Sequence, residues 1–413
     1  MKIEICKWYN NANSPVLFMI DDFANVWIDT YCDGEVNIGD DWGYAKDSKN
    51  SSFNFLNEVI LKDYPDLKVT FFTPVGIRVG MIENSPIKST SKMINCDTET
   101  KEFFRSVNDS PRYEIVYHGT THGKAYNCAD DFKQEWELFN SLAEAVETIN
   151  KGKEVYKDVF GVYPIGGKYC GYTINEFSDK SIDSTNFLWW CRFWNRGLVE
   201  NENCIIGGTD LNPLTNLDIK VFGENNVIDI PSTLYGGLFT GIFYPNIKTV
   251  KGIAKVALRK YLITKKIKEI RYLLKNKLVI SIQEHISPST NKPSEMSRFA
   301  RQSPNIFDDE KSLKYIFSYI KDKNVWYCTG TELAEYYYMR ENTEMVWEGI
   351  DMFKINFVSE KDILNKKISI TFDENNIKEI ILPSGINIEG HNNIFNIIVM
   401  NGSYKVIRII KSE

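Results

Sequence analysis

Two adjacent aspartates, Asp21 and Asp22, and three of the four histidines in the 413-residue chain stand where side chains could do chemistry. Carboxylates and imidazoles that converge on one point can hold a divalent cation or move protons near neutral pH. Asp21-Asp22 closes the apolar run VLFMI, and two acids in such a place must pair with or bind something positive. His118 and His122 lie four apart in YEIVYHGTTHG, again closing an apolar run, a spacing that suits a first-row divalent cation. Taken alone, an HxxxH spacing is as often structural as metal-binding, and an acidic pair after a strand says little. His285 ends a third run, LVISIQEH. Each feature has a plain reading by itself: an ion pair or cap, a hydrogen-bonded core histidine, a loop residue. Their order, each after a β-type run, favours one shared site over three coincidences. His391, in EGHNN, reads as a turn residue.

A shared site of this kind needs parallel strands whose C-terminal ends converge, as in an α/β barrel. Short apolar runs at 16–20, 68–73, 113–117, 162–165, 187–193, 227–230, 278–282 and 325–328 alternate with helical stretches such as 51–62 and 130–150. Within the latter, Phe132, Trp136, Phe139, Leu142, Ala143, Val146 and Ile149 recur at helical spacing and are expected in the core. The glycine-containing stretch NVWIDTYCDGEVNIGDDWGY is expected to be a loop near the site, with Asp33, Asp40 and Asp41 as solvated loop charges unless they meet substrate. Beyond 345, five strand-like runs separated by Asn-rich turns follow without a helix between them. The expected organisation is an α/β barrel over 1–340 and a small antiparallel β-domain, sandwich-like, over 345–413.

A net charge of −6 argues against nucleic acid as the main partner. The chain has no apolar stretch of membrane-spanning length and no signal-peptide core near its start. Eight cysteines without a CxxC pair fit reduced thiols, and hence a cytoplasmic location.

With these residues in view, the chain resembles the NodB-like polysaccharide deacetylases of carbohydrate esterase family 4, whose marks are TFDDG, H(S/T)xxH, RxxPY, DxxDW and LxLxH. MIDDF at 19–23 resembles the first, HGTTH at 118–122 the second and LVISIQEH at 278–285 the last. YPIGGKYCGY at 163–172 occupies the place of RxxPY, with Lys168 where the arginine falls and Gly171-Tyr172 at the turn. A lysine lacks the planar fork of arginine, which puts the tether on the base carboxylate in question. DxxDW has no clean counterpart; Asp183 and the aromatic run FLWWCRFWNR stand nearest.

The resemblance implies a distorted (β/α) barrel of the NodB type and metal-assisted hydrolysis of an N-acetyl group on an amino sugar or saccharide. It implies one divalent ion, zinc first with cobalt, nickel or manganese as alternatives, on Asp22, His118 and His122. Asp21 becomes the general base and His285 the acid. Backbone amides around Gly171-Tyr172 become the oxyanion site. Lys168, Tyr169, Gly171, Tyr172, Trp190 and Trp194 become substrate-binding candidates, with core packing as the other reading of the aromatic rings. O-acetyl ester or N-formyl hydrolysis, or carbohydrate binding without catalysis, stay open. Oligomeric state stays open as well.

Residues 246–277 hold eleven Lys or Arg among Ile, Val and Leu at near-helical spacing. This is either a solvated basic helix face or a peripheral contact with the inner membrane face, where the substrate would be a lipid-linked saccharide.

Overall fold

Alternation of apolar runs with helices builds one large, mostly parallel sheet. The computed structural model describes residues 2–29, 31–77, 88–124, 132–193, 217–286, 304–349, 351–359, 361–373 and 377–410. Among them the sheet has ten strands: β1 (Ser14–Asp21), β2 (Val69–Thr73), β3 (Tyr113–Tyr117), β4 (Gly166–Lys168), β5 (Trp189–Cys191), β6 (Lys220–Phe222), β7 (Val227–Asp229), β8 (Leu234–Tyr235), β9 (Ile280–His285) and β10 (Val325–Tyr327). Their order is β6-β7-β5-β4-β3-β2-β1-β9-β8, and β10 pairs with the first half of β1 on the edge that β2 takes further along. Neighbours run parallel except β6 with β7. The curled sheet and its helices form the distorted (β/α) barrel that the alternation predicts.

Parallel strands covered on both faces read as continuous apolar runs, and all eight residues of β1 are buried. Val16, Phe18 and Ile20 join the core beneath the helices. Leu17 and Met19 face the other way and pack with Phe72, Val116, Trp189 and Ile228. The helices include α1 (Thr98–Asp109), α2 (Leu142–Phe160), α3 (Val250–Ala257), α4 (Arg259–Lys275), α5 (Glu310–Lys321) and α6 (Gly330–Asn342). Their ends follow local chemistry. Ser141 accepts the Glu144 amide at the start of α2, and Gly161, at φ 77°, ends it in the left-handed conformation. Thr329 and Glu332 form a capping box on α6, whose first turn anchors to the sheet through Gly330 N–H to Thr70 Oγ1 at 2.9 Å.

Past α6 lie two antiparallel sheets. One orders Thr343–Trp347, Met352–Phe357, Gly402–Ile410, Ile377–Ile381 and Asn387–Glu389; the other holds Lys367–Phe372 between Ile3–Ile5 and Ile394–Ile398. The N-terminal strand Ile3–Ile5 thus completes a C-terminal sheet. Phe353, Ile355, Ile370 and Phe395 share one apolar cluster with Leu17, Met19 and Trp189, so barrel and sheets bury their apolar surface together.

The helix expected over 130–150 breaks at Asn140-Ser141, where Ser141 starts a new cap. The break shifts the phase, so that Ala145 and Ile149 are buried while Ala143 is exposed. The loop after β1 is pinned by Asp41, which is buried and not solvated: its carboxylate accepts the amides of Gly43, Ala45 and Ser52.

Strand β4 begins with two glycines because tryptophans cross it. A Cβ on Gly166 would run into the Trp189 ring, and one on Gly167 into the Trp190 ring and the Tyr117 carbonyl. Gly167→Ala is therefore expected to destabilise the fold by about 3 kcal/mol, the upper part of the usual cost of overpacking. Urea unfolding measures it, and an unchanged midpoint would mean that the Trp190 ring has room to yield.

Candidate metal centre

Five parallel strands end around one cavity. Register places His285 directly across from Asp21 on one side, with Phe72 across on the other. Asp21 continues the inward face of Leu17 and Met19, since strand side chains alternate. In an extended chain Asp22 would point to the opposite face. It does not, because its backbone turns into the left-handed region at φ 69°. The same device brings back the second histidine: after His118 the chain passes Gly119 at φ 82° and reaches His122 at φ 67°. Asp and His tolerate this region better than most residues, and such local strain concentrates at functional sites.

The loop that carries His122 is clamped by a carboxylate. Glu135 accepts the amides of Thr120 and His122 at 2.9 Å each, together with the Thr121 amide and hydroxyl. Its own amide donates to the His122 carbonyl at 3.2 Å.

Asp21 is buried, yet Lys168 Nζ touches both of its oxygens, at 2.8 and 2.7 Å. Gln283 Nε2 donates to Asp21 Oδ2 at 2.9 Å, and Gln283 Oε1 accepts from Lys168 and, at 2.8 Å, from the Tyr172 hydroxyl. Burial pushes the Asp21 carboxyl upward, but Lys168, then His118 and His285, more than offset it and hold it below the ordinary carboxylate range. The lysine thus does tether this carboxylate, as a point charge gripping both oxygens, without a guanidinium fork.

The histidine tautomers follow from their partners. His118 Nδ1 lies 3.0 Å from the Lys168 carbonyl and His285 Nδ1 2.6 Å from the Pro304 carbonyl. A carbonyl only accepts, so each Nδ1 carries a proton, and in a neutral imidazole Nε2 then offers a lone pair to the cavity. His118 Nε2 is buried with no hydrogen-bond partner, 3.8 Å from Asp22 Oδ1 and 3.9 Å from Asp21 Oδ2. His122 Nε2 is 2.9 Å from Asp22 Oδ1, and His285 Nε2 is 3.9 Å from Asp21 Oδ2. Two imidazole nitrogens and one carboxylate oxygen, one of them an unsatisfied buried nitrogen, fit a divalent ion that keeps positions open for small ligands. Cys170 Sγ also lies within 4.8 Å of a nitrogen of each histidine. We favour the carboxylate set, because that thiol donates to the His118 carbonyl at 3.2 Å, on the backbone side of the loop.

The cavity holds about 440 Å³ and is lined by Asp21, His118, His122, Gln134, Gly171, Tyr172, Tyr235, Gln283, His285 and Pro304. A wider cleft of about 750 Å³, between the loop around Lys46 and the start of α1, contains none of these side chains.

The remaining candidates divide sharply. Gly171 and Tyr172 line the cavity. The Tyr172 amide, expected in the oxyanion site, instead donates to the Tyr169 carbonyl within a tight turn. Lys168, Tyr169 and Trp190 are fully buried and do not serve as substrate contacts: Lys168 holds Asp21, the Tyr169 hydroxyl binds Asp179, and Trp190 packs among Trp136, Tyr169 and Phe187. Trp194 lies outside the described residues. Asp183 is far from this chemistry in role, accepting the amides of Glu224 and Asn225. Sequence reasoning missed Gln283 and Glu135. Gln283 was legible as the residue two before His285, on the same strand face; Glu135 carried no local signal.

No family model matches the sequence, and no curated protein matches it. Among solved structures the chain is similar to one assigned as a polysaccharide deacetylase from Mycobacterium smegmatis, at 14% identity over 84% of this chain and 98% of that one, with a TM-score of 0.43. It is similar to PuuE allantoinase at 13% identity, over 79% and 91%, with a TM-score of 0.44. A pseudoenzyme of carbohydrate esterase family 4 from Bacillus anthracis matches at 11%, over 78% and 66%, with a TM-score of 0.35.

Removing one partner of a buried ion pair strands the other, at a cost of about 3–5 kcal/mol. Lys168→Met is expected to destabilise by that amount, and adding Asp21→Asn to recover much of it. A double-mutant cycle by urea unfolding tests this, and simple additivity would rule the coupling out.

Burial holds the His118 imidazole down at about 4, against the pull of Asp21. The unfolded chain binds that proton from about pH 6.5 downward, whereas the folded chain resists it. Stability is thus fully present above about pH 6.5 and falls as the pH drops towards 4, by about 3 kcal/mol in all. His118→Gln should flatten this acid limb in a pH series of unfolding free energies.

Proposed function

We propose that the chain is a metal-dependent hydrolase that removes an acyl group, N-acetyl first, from an amino sugar or other saccharide. The observation that carries this reading is the convergence of Asp22 Oδ1 with the Nε2 atoms of His118 and His122, beside a carboxylate held ionised by Lys168 and opposite His285. A divalent ion on Asp22, His118 and His122, with zinc as the first candidate, would polarise the acyl carbonyl and acidify a water molecule.

Asp21 accepts the proton of the attacking water. Its contacts with Lys168 and Gln283 fix its direction, and a carboxylate has lone pairs to spare beyond those contacts. His285 stands across from it with Nε2 turned inward; protonated at that atom it gives its proton to the departing amine, and the proton that Asp21 took from the water passes to solvent, from which His285 is reprotonated. A non-catalytic binding protein would have no use for this opposed pair. Tyr172 and Tyr235 on the cavity wall offer apolar faces to a sugar ring. Free thiols at Cys6, Cys32, Cys96 and Cys328 are in keeping with a reducing compartment.

Acetate release from N-acetylated and O-acetylated oligosaccharides, with zinc, cobalt, nickel or manganese added, tests the reading. Asp21→Asn is expected to lower kcat by roughly 10²–10⁴-fold while leaving bound metal unchanged. Asp22→Asn and His122→Asn are expected to lose metal and activity together. A parent protein that binds none of these ions and releases no acetate would sink the proposal.

A further inference from the structure

The connection between β8 and β9 carries a feature that the cavity does not use. Helix α3 stands almost wholly in solvent: within Val250–Ala257 only Gly252 is buried and only Lys255 half-buried. Besides Lys251, the exposed side chains on this helix and at its two ends are largely apolar. Ile247 is 68% exposed, Val250 86%, Ile253 59%, Leu258 52% and Tyr261 64%. Within the helix, spacings of three and four align Val250 and Ile253 with Ala254 and Ala257 along one stripe, with Ile247 just before it and Leu258 and Tyr261 just after it. Lys248, Lys251, Lys255 and Arg259 repeat at the same spacings and form a second stripe beside the first.

Charge here is one-sided. From Ile230 to Lys268 the chain has eight Lys or Arg and no Asp or Glu, in a protein of net charge −6. The helix is also built to be held from behind. Thr249 caps it by accepting the Gly252 amide at 3.0 Å, and the absent side chain of Gly252 lets the Asn246 carbonyl pass against it. The apolar stripe is therefore fixed outward and is not left over from loose packing.

Burying that stripe requires an apolar phase, and its flanking cations require an anionic one beside it. Because the stripe lies on a convex helix and not in a groove, a flat partner fits it better than a peptide. We infer that α3 lies in the interface of an anionic lipid bilayer, its apolar stripe among the acyl chains and its Lys-Arg stripe among the headgroup phosphates.

Topology gives the contact a purpose. The segment leaves the sheet just after Tyr235, which lines the cavity, and α4 carries the chain back to the start of β9. By chain order α3 precedes the helix that runs back to the start of β9, which puts it toward the end of the barrel where the strands' C-terminal ends open. A saccharide carried on a membrane lipid would meet the cavity from that side. Among the described residues no helix is long and apolar enough to cross a membrane, so the contact is one of lying on the surface. The inference does not rest on the hydrolase reading, because lipid binding is read without activity.

Flotation of the full chain with vesicles tests it, using phosphatidylcholine alone and phosphatidylcholine with about a third phosphatidylglycerol. Binding is expected on the anionic vesicles only, weakening as salt is raised. The double variant Val250→Glu/Ile253→Glu should bind at least tenfold more weakly with an unchanged thermal melt, and Lys248→Gln/Lys251→Gln/Lys255→Gln should lose the preference for anionic lipid. No binding to anionic vesicles at low salt would overturn the proposal, as would equal binding by the Glu variant. A stable dimer in sedimentation velocity that Val250→Glu dissociates would overturn it too, by assigning the stripe to a second copy of the chain.

Discussion

The ammonium group of Lys168, without exposed surface, grips both oxygens of Asp21, and the arrangement of the site follows from how that charge is satisfied. A buried cation is tolerated only when charge and hydrogen bonds around it are complete. Gln283 completes them by facing both ways, its amide NH₂ to Asp21 and its oxygen to Lys168 and the Tyr172 hydroxyl. One network thus ties β1, β4, β9 and the turn after β4 together at the level of the cavity. Its chemical result is a carboxylate kept ionised in a place where burial alone would protonate it.

The network leaves the histidines dependent on backbone carbonyls. Lys168 serves twice, since its side chain fixes Asp21 and its carbonyl orients His118. That double use explains why a fully buried lysine sits at a strand end among aromatic rings: moving it would disturb the Asp21 carboxylate and a metal-ligand candidate at once. Glu135 plays the matching part on the other side, where its carboxylate gathers the amides that the left-handed turn at His122 turns away from any strand. Both anchors are acids or bases that satisfy buried polar groups, and both lie outside the trio of candidate metal ligands.

Much of this was legible in the sequence because parallel strands announce themselves as apolar runs and place their last residues at one end. Asp21, Asp22, His118, His122 and His285 close or follow such runs, and five strands of the C-terminal sheets stand out as short runs between Asn-rich turns. What stayed hidden was non-local. Nothing in KIEIC says that Ile3–Ile5 will pair with Lys367–Phe372, because edge pairing depends on where two distant segments meet. Trp190 and Tyr169 read as sugar platforms because aromatic residues near a site look alike whether they face ligand or core; the two glycines of β4 decide the matter by drawing both tryptophans inward. A lysine in the place of an arginine lacks the fork, yet as a point charge it binds both carboxylate oxygens, because Gln283 fills the remaining direction.

Two adjacent acids pose the sharpest geometric problem, because a strand sends consecutive side chains to opposite faces. A chain that ended its strand at Asp21 and continued extended would keep one carboxylate in the cavity and bury the other among the helices, unpaired. The left-handed turn at Asp22 removes that conflict, and the one at His122 does the same for a histidine four residues past its partner. Each turn costs backbone free energy, on the order of 1–3 kcal/mol for a non-glycine residue in a sparsely populated region. Folding alone does not require either turn, since a glycine or a polar loop residue would end both strands with less strain. Other residues of the chain, such as Lys46 and Lys277, are left-handed too; what sets these two turns apart is that they bring a carboxylate oxygen and an imidazole nitrogen to one buried 2.9 Å contact, which a ligand would explain without any family resemblance.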